Sequence, residues 1–443
     1  MPQNKLEKSR FILSIPVIFI CPTAKEKMSG QNNISKGQHE ALRLWQEACD
    51  RLIRGWMTSP AVMGFNAFWF RQSLDFYEYW LESGRQAGFD ADAMHNAFRA
   101  NLKLFSIGTN GLMANVRLAQ TAGILPKTAP TPAEIIWQTD DFRLLRYKSA
   151  NRTFAVPLLI VSSLVGKYYI LDLTSKRSYV AHLLDAGFDV FIIDWTTNEK
   201  SEGKGLNDYV CAYLAQIIEK VAAVAKGKQV SLLGYSMGGI LALIYAALNP
   251  DAVKNLILLT TPVDFSGENT IGDWTSAEFF DVDRVTDLFG NISGEAVSWS
   301  MQMVKPASSL SRGINTLQYA DNREDFDALM ALEIWLHDPA PLPAKLFKDV
   351  IKKLYRNNLL AKNELMIGKR RVDLSNINSP VLNIIGTHDQ VATPETSEKL
   401  SELLGNIDKA KLALDYGHLT IAVGSGAKED LWQKSVEWLE RRS

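Results

Sequence analysis

The pattern of apolar and polar positions changes near residue 130. Before that point, apolar and aromatic residues recur at helical spacing, and beyond it short continuous apolar runs alternate with helical patterns. A linker with three prolines in seven residues, Pro126, Pro130 and Pro132, separates the two parts, because proline cannot continue a helix. The pattern therefore predicts an N-terminal helical region over 28–125 and a different architecture from residue 131 onward. The helical stripes include Leu42, Trp45, Leu52, Trp56, Phe68, Trp69, Phe76, Tyr77 and Trp80.

The second part of the chain predicts an α/β fold with a mostly parallel, doubly wound sheet. Short apolar runs alternate with helical patterns, and parallel strands need such crossover helices on both faces of the sheet. Strands are predicted at 142–147, 156–162, 190–193, 230–235, 256–259, 381–386 and 412–414, and helices at 177–185, 206–225, 240–248 and 430–441.

Residues 265–376 interrupt this alternation with scattered aromatic residues and several Pro and Gly breaks. An insertion of this size between two sheet strands is typical of a cap or lid over a site at the strand ends. We predict a core made of two parts, 131–264 and 377–443, with the cap between them.

The most informative motif is Gly-Tyr-Ser-Met-Gly at 234–238, which lies between the apolar run from Val230 and the helical pattern at 240–248. A Gly-x-Ser-x-Gly turn between a strand and a helix forms a strained elbow that exposes the serine hydroxyl. The positions two before and two after the serine must be nearly free of side chain, as Gly234 and Gly238 are. The motif predicts Ser236 as a nucleophile.

A nucleophilic serine needs a base to accept its proton and an acid to orient that base. In this architecture the acid and then the base follow the serine along the chain. Asp389 follows the predicted strand 381–386, and His418 follows the strand 412–414, so both lie in loops at the same edge of the sheet. We predict Asp389 as the acid and His418 as the base. Alternatives are Asp415 or Asp264 as the acid and His388 as the base.

An oxyanion hole needs two backbone donors. One is normally the amide of the residue after the nucleophile, here Met237, and the other comes from a loop after an early strand. That loop is 162–167, and we predict the Val165 amide as the second donor. Metal-ligand spacings and phosphate-binding glycine loops are lacking in the sequence, so it predicts no metal site and no bound cofactor.

Composition narrows the choice of partners. The chain has 443 residues with 48 Lys and Arg against 49 Asp and Glu, and no dense basic stripe, which argues against nucleic acid as a partner. Its three cysteines, Cys21, Cys49 and Cys211, are too few for a disulfide framework and fit a reducing compartment.

Residues 1–27 have two interpretations. Lys5, Lys8 and Arg10 precede the apolar run 11–20, as in a signal peptide, but the run is too short to span a bilayer. The segment also fits an upstream extension of a start at Met28. We expect a cytoplasmic protein with no transmembrane segment, with secretion as the alternative.

A set of short motifs runs from residue 131 to the C-terminus: KYYILDL at 167–173, DW at 194–195, LNDYV at 206–210, the elbow at 234–239, YAAL at 245–248, LTTPVDF at 259–265, LYRNN at 354–358, VDL at 372–374 and GH at 417–418. Together these motifs resemble those of the polyhydroxyalkanoate synthase family. The resemblance implies an α/β-hydrolase fold and an activity that polymerises (R)-3-hydroxyacyl groups from coenzyme A thioesters onto a polyester chain. It also implies Ser236, Asp389 and His418 as nucleophile, acid and base, with Met237 and Val165 in the oxyanion region.

One position departs from that family, because the resemblance implies a nucleophilic cysteine where this chain has Ser236. The sequence thus predicts a synthase-like acyltransferase that forms an acyl-enzyme from 3-hydroxyacyl-CoA. The alternatives are a serine esterase, thioesterase or depolymerase, and a granule-associated or subunit-like binding protein with little activity. Further expected partners are a second copy of the chain or a second synthase subunit, and a polymer granule.

Overall fold

The computed structural model describes residues 116–117, 120–121, 123, 125–149, 151–267, 269–304, 322–405 and 407–443. The predicted extension 1–27 and nearly all of the predicted helical region 28–125 lie outside these residues. Within the described part of the chain, no helix combines the length and the hydropathy needed to cross a membrane.

The strands are β1 Ala133–Gln138, β2 Phe142–Tyr147, β3 Leu158–Val161, β4 Val190–Trp195, β5 Val230–Tyr235, β6 Val253–Leu259, β7 Met366–Ile367, β8 Arg370–Arg371, β9 Val381–Gly386 and β10 Lys409–Leu414. Eight of them form the central sheet, in the order β1-β2-β4-β3-β5-β6-β9-β10. All neighbouring pairs from β4 to β10 are parallel, whereas β1 and β2 join the edge as antiparallel strands. A short hairpin, β7–β8, lies outside the sheet.

Helices connect the strands. The α-helices are α1 Tyr179–Asp185, α2 Ala215–Ala225, α3 Met237–Leu248, α4 Thr270–Trp274, α5 Val282–Phe289, α6 Gly294–Val304, α7 Arg323–Leu336, α8 Ala344–Asp349, α9 Pro394–Glu398, α10 Leu400–Leu403, α11 Thr420–Val423 and α12 Gln433–Glu440. A π-helical segment, Asp208–Leu214, runs directly into α2, so the helix predicted over 206–225 is present with an irregular first half. Further π-helical turns span Val350–Arg356 and Lys428–Trp432, and 3₁₀ turns span Tyr168–Leu171, Glu199–Ser201, Pro250–Ala252 and Leu374–Asn376.

The two faces of the sheet carry separate apolar cores. Alternate residues of β3 point to opposite faces, so Leu159 and Val161 pack with α2 and α3, whereas Leu158 and Ile160 pack with α1 and α12. Because both faces are covered, the central strands are mostly apolar and buried along almost their whole length, as the apolar runs in the sequence predict. The predicted α/β-hydrolase fold with a mostly parallel, doubly wound sheet is confirmed.

Helices α4 to α8 lie in the long connection between β6 and β9, and α7 contacts the segment after β3. The indole N–H of Trp335 on α7 donates to the Lys167 carbonyl at 2.7 Å, and the Tyr169 hydroxyl donates to Asp338 at 3.0 Å. At the other end of α7, the buried Arg177 guanidinium binds Asp325 at 2.7 Å. These contacts fix α7 to the core beside the loop expected to help bind an oxyanion. That the whole connection acts as a cap over Ser236 stays a prediction.

Candidate active site

Ser236 occupies the turn between β5 and α3 with φ 54° and ψ −121°. A left-handed φ at a residue with a side chain is strained, which is the geometry expected of a nucleophile elbow. The flanking glycines are required sterically: a Cβ on Gly238 would lie 2.1 Å from the Val161 carbonyl oxygen, and one on Gly234 would lie 2.4 Å from the Gly239 Cα. The elbow thus needs glycine on both sides, as the motif predicts.

Ser236, His418 and Asp389 form a continuous hydrogen-bonded chain. The Nε2 atom of His418 lies 3.0 Å from the Ser236 Oγ, and the Nδ1 atom lies 2.7 Å from the Asp389 Oδ2. The Asp389 side chain is fully buried, whereas the His418 side chain is 14% exposed. This is the arrangement that lets an imidazole accept the serine proton while a carboxylate fixes its orientation.

The parallel pairing of β9 with β10 brings the acid and the base together across 29 residues of chain. Beyond the strand ends the ladder continues, since the Thr387 amide donates to the Leu414 carbonyl at 2.8 Å and the His388 amide donates to the Tyr416 carbonyl at 3.0 Å. Within its own turn, Asp389 accepts hydrogen bonds at Oδ1 from two backbone amides, those of Val391 and Ala392. The carboxylate is therefore held rigidly with Oδ2 toward His418.

The alternative residues occupy other positions. His388 and Asp415 pair with each other, with Nε2 2.6 Å from the carboxylate oxygen, and the Asp415 side chain is 83% exposed. Asp264 is bound by Lys399 at 2.7 Å and accepts hydrogen bonds from Ser266 and Asn358. The His418 Nδ1 atom is hydrogen-bonded to Asp389 and to neither alternative acid. The structure thus brings together the three preferred residues rather than their alternatives.

The expected oxyanion donors lie on both sides of the elbow. Met237 is the first residue of α3, directly after Ser236. The loop after β3 packs against that first turn, because the Val161 and Ser162 carbonyls are the nearest neighbours of a Cβ placed on Gly238. The Val165 amide, however, donates to the Ser163 Oγ at 3.1 Å. The role of Val165 as an oxyanion donor stays a prediction, and it requires this hydrogen bond to be exchanged.

Tyr235 also contacts the base, which the sequence analysis did not predict. Its hydroxyl donates to the His418 carbonyl at 3.2 Å, and its ring stacks on the imidazole with centroids 5.7 Å apart. The motif places Tyr235 next to Ser236 in the sequence. Its contact with His418 could not be predicted, because it depends on the path of a loop 183 residues further along the chain. Elsewhere in the described part of the chain, no three His, Cys, Asp or Glu side chains are grouped as metal ligands.

Comparison of the sequence with those of known proteins shows to which family this chain belongs. A family model for the alpha/beta hydrolase fold matches residues 156–425, and one for the N-terminus of poly-beta-hydroxybutyrate polymerase (PhaC) matches residues 108–183. The poly(3-hydroxyalkanoate) polymerase subunit PhaC of Allochromatium vinosum is 32% identical over 321 residues, covering 71% of this chain and 90% of that protein. This chain belongs to the poly(3-hydroxyalkanoate) polymerase family.

Other relatives of the polymerase family give the same result with different coverage. The PhaC subunit of Haloferax mediterranei is 32% identical over 71% of this chain, which spans 64% of that protein, and the PhaC subunit of Synechocystis sp. is 32% identical over 70% of this chain and 85% of its own length. Among solved structures, a lipase-like protein from Sulfolobus solfataricus matches 70% of this chain and 99% of its own with 15% identity and a TM-score of 0.44. A likeness at that level bears on neither substrate nor reaction.

Proposed function

We propose that this chain is a polyhydroxyalkanoate synthase-like acyltransferase acting on 3-hydroxyacyl-CoA thioesters through a covalent acyl-Ser236. The single observation that carries the proposal is the hydrogen-bonded chain from Ser236 through His418 to Asp389 in a member of the polymerase family. A serine activated in this way is equipped for acyl transfer, because the base can accept the serine proton as the oxygen attacks a carbonyl.

The first half-reaction is acylation. The Nε2 atom of His418 takes the Ser236 proton while Oγ forms a bond to the thioester carbonyl carbon. The carbon–sulfur bond then breaks, and the sulfur of coenzyme A leaves with the proton from His418. The amide of Met237, and that of Val165 once it is released from Ser163, would stabilise the oxyanion. Asp389 orients the imidazole and stabilises the imidazolium that forms.

The second half-reaction transfers the acyl group to an acceptor hydroxyl. His418 takes the proton of the incoming hydroxyl, whose oxygen attacks the acyl carbon, and the Ser236 Oγ then leaves with that proton. When the acceptor is the hydroxyl of another 3-hydroxyacyl unit, the product is a longer polyester. When the acceptor is water, the product is a free hydroxy acid.

Hydrolysis is a second candidate function, because the nucleophile is a hydroxyl rather than a thiol. An acyl-thioester on cysteine keeps the activation of the coenzyme A substrate, whereas an acyl-ester on Ser236 has lost it. Chain extension from Ser236 is then close to an exchange of one ester for another, while water remains a competent acceptor. A serine esterase, thioesterase or depolymerase acting on hydroxyacyl esters would use the same residues.

Product analysis separates these functions. Purified protein is incubated with 3-hydroxybutyryl-CoA, and free thiol, soluble hydroxy acid and insoluble polyester are followed together, with Ser236→Ala as the control. Thiol release with polyester supports the synthase, and thiol release with only soluble acid supports the hydrolase. Folded protein that gives neither product contradicts both and favours a binding role.

The wider expectations belong to the same proposal. Association with a second copy or a second synthase subunit, and attachment to a polymer granule in the cytoplasm, rest on the family relationship and on the aromatic helical pattern of 38–122. Sedimentation of the full chain with and without polymer granules tests them. Full-length protein that stays monomeric and in the supernatant contradicts both associations.

A further inference from the structure

Tyr235 couples the nucleophile elbow to the loop that carries His418. It is the last residue of β5, it precedes Ser236 directly, and its side chain is buried under the sheet face that packs against α12. Its hydroxyl donates to the His418 backbone carbonyl at 3.2 Å. Tyr235 is therefore bonded to Ser236 through the main chain and hydrogen-bonded to the backbone of His418 through its side chain.

The ring of Tyr235 also faces the imidazole. The two ring centroids are 5.7 Å apart and the planes are inclined by 29°, which is within the range of an offset stack. The negative face of a tyrosine ring attracts a cation placed within about 6 Å of its centroid. His418 becomes a cation when Ser236 gives up its proton, so this attraction grows as the reaction proceeds.

The surroundings keep Tyr235 a neutral donor. Burial and the nearby Asp389 carboxylate raise the pKa of Tyr235 well above its ordinary value, so the phenol stays protonated over the working range of the enzyme. The other titratable groups around His418 are Asp389 itself, the buried Tyr355 near Asp389, and the His388–Asp415 pair on the same two loops. A substitution at position 235 removes none of these groups, so its effect can be assigned to Tyr235.

We propose that Tyr235 is a positioning residue for the base: its hydroxyl holds the His418 backbone, and its ring favours the imidazolium form. This inference rests on the proposed function, since it assigns His418 the role of base. The hydroxyl and the ring of Tyr235 contact different parts of His418, so substitutions at position 235 can remove one contact or both.

Two variants separate those parts. Tyr235→Phe keeps the ring and removes the hydroxyl, and Tyr235→Leu removes both. The readout is the second-order rate of Ser236 labelling by a p-nitrophenyl phosphonate between pH 5 and 9, in which Oγ bonds to phosphorus, p-nitrophenolate leaves and the serine proton passes to His418. Labelling at Ser236 is verified by mass spectrometry.

Tyr235→Phe is expected to slow labelling by about 2- to 10-fold, the equivalent of one lost hydrogen bond, with the acid limb of the pH profile unchanged. Tyr235→Leu is expected to slow it further and to move the acid limb about half a pH unit lower, because the imidazolium loses a favourable neighbour. Tyr179→Phe is the matched control. The Tyr179 hydroxyl is buried and hydrogen-bonded to Ser435, and its ring stacks on Trp432, so this variant also loses one buried hydroxyl contact beside an aromatic stack. It should lower thermal stability and leave labelling unchanged.

An unchanged rate in Tyr235→Phe overturns the role of the hydroxyl. Equal slowing of labelling in Tyr179→Phe overturns it as well. An unchanged acid limb in Tyr235→Leu overturns the role of the ring. Tyr235→Phe differs from the wild type by one oxygen, so it keeps the inference testable if the leucine variant misfolds. Wild-type protein that is not labelled at Ser236 contradicts the proposed function, and the inference falls with it.

Discussion

Replacing Asp389 by asparagine should reverse the hydrogen bonding of His418. The Asp389 Oδ1 accepts two backbone hydrogen bonds, from Val391 at 2.8 Å and from Ala392 at 2.9 Å, so the amide oxygen of an asparagine would take that position. Its NH₂ group would then face the His418 Nδ1, which would have to accept a hydrogen bond instead of donating one. The proton of the neutral imidazole would move to Nε2, which could no longer accept the proton of Ser236.

The expected loss of kcat is large because the imidazole keeps its position but carries its proton on the wrong nitrogen. For a buried acid of this kind, loss of the carboxylate charge and of the correct tautomer lowers kcat by about 10³- to 10⁴-fold, which corresponds to about 4–5 kcal/mol. The assay is steady-state release of thiol from 3-hydroxybutyryl-CoA, together with thermal unfolding to verify the fold. Asparagine is preferable to alanine for this test because its side chain has nearly the same volume as that of aspartate. Alanine would leave the amides of Val391 and Ala392 without an acceptor.

Asp415→Asn is the matched control for Asp389→Asn. Asp415 lies on the neighbouring loop, is 83% exposed and pairs with His388 rather than with His418. Its replacement should change kcat by less than about threefold, as expected of an exposed pair. If Asp389→Asn keeps more than a tenth of the wild-type kcat, or if Asp415→Asn loses as much as Asp389→Asn, the assignment of the acid is refuted.

Three further predictions follow from the same contacts. Ser236→Cys should raise polyester relative to free hydroxy acid, and an unchanged product ratio would count against the argument from thioester activation. Gly238→Ala would place a Cβ 2.1 Å from the Val161 carbonyl oxygen, so the thermal midpoint should fall by the equivalent of at least about 1–3 kcal/mol, and an unaltered midpoint refutes this packing. Burial raises the pKa of Asp264, but hydrogen bonds from Lys399 and neighbouring donors outweigh it and leave the pKa below its ordinary value. Stability from this group is therefore present above about pH 4 and lost as the pH falls, so Asp264→Asn should flatten the loss of thermal midpoint between pH 5 and pH 3, and an equal loss in both proteins refutes it.

The strands that form the interior of the sheet were predictable from sequence. The structure places strands at Phe142–Tyr147 and Val381–Gly386 with the predicted bounds. Val381–Gly386 is buried throughout and mostly apolar, and in Phe142–Tyr147 only the two arginines are half-buried. The edge strand Ala133–Gln138 was missed. It is largely exposed, mixes polar with apolar residues and shifts register between Ile135 and Trp137, so it carries neither a continuous run nor a clean alternation.

The candidate site was predictable in its residues but not in its supporting contacts. Ser236, Asp389 and His418 follow from the elbow and from the order of strand ends, since parallel strands present their carboxyl ends at one edge. The Tyr235 contact with His418 and the Arg177 contact with Asp325 join residues 183 and 148 positions apart through loops. Periodicity does not encode the path of a loop, so contacts of this kind appear only in the folded structure.

The central claim is that Ser236 becomes acylated by a 3-hydroxyacyl-CoA. The most direct measurement is mass spectrometry of protein quenched in acid during turnover of 3-hydroxybutyryl-CoA, followed by peptide mapping. The account predicts a 3-hydroxybutyryl group on the peptide that contains Ser236 in the wild type. It predicts that this group is absent in Ser236→Ala. Turnover in the wild type with no acyl group on Ser236 at any quench time, or turnover that persists in Ser236→Ala, would contradict it.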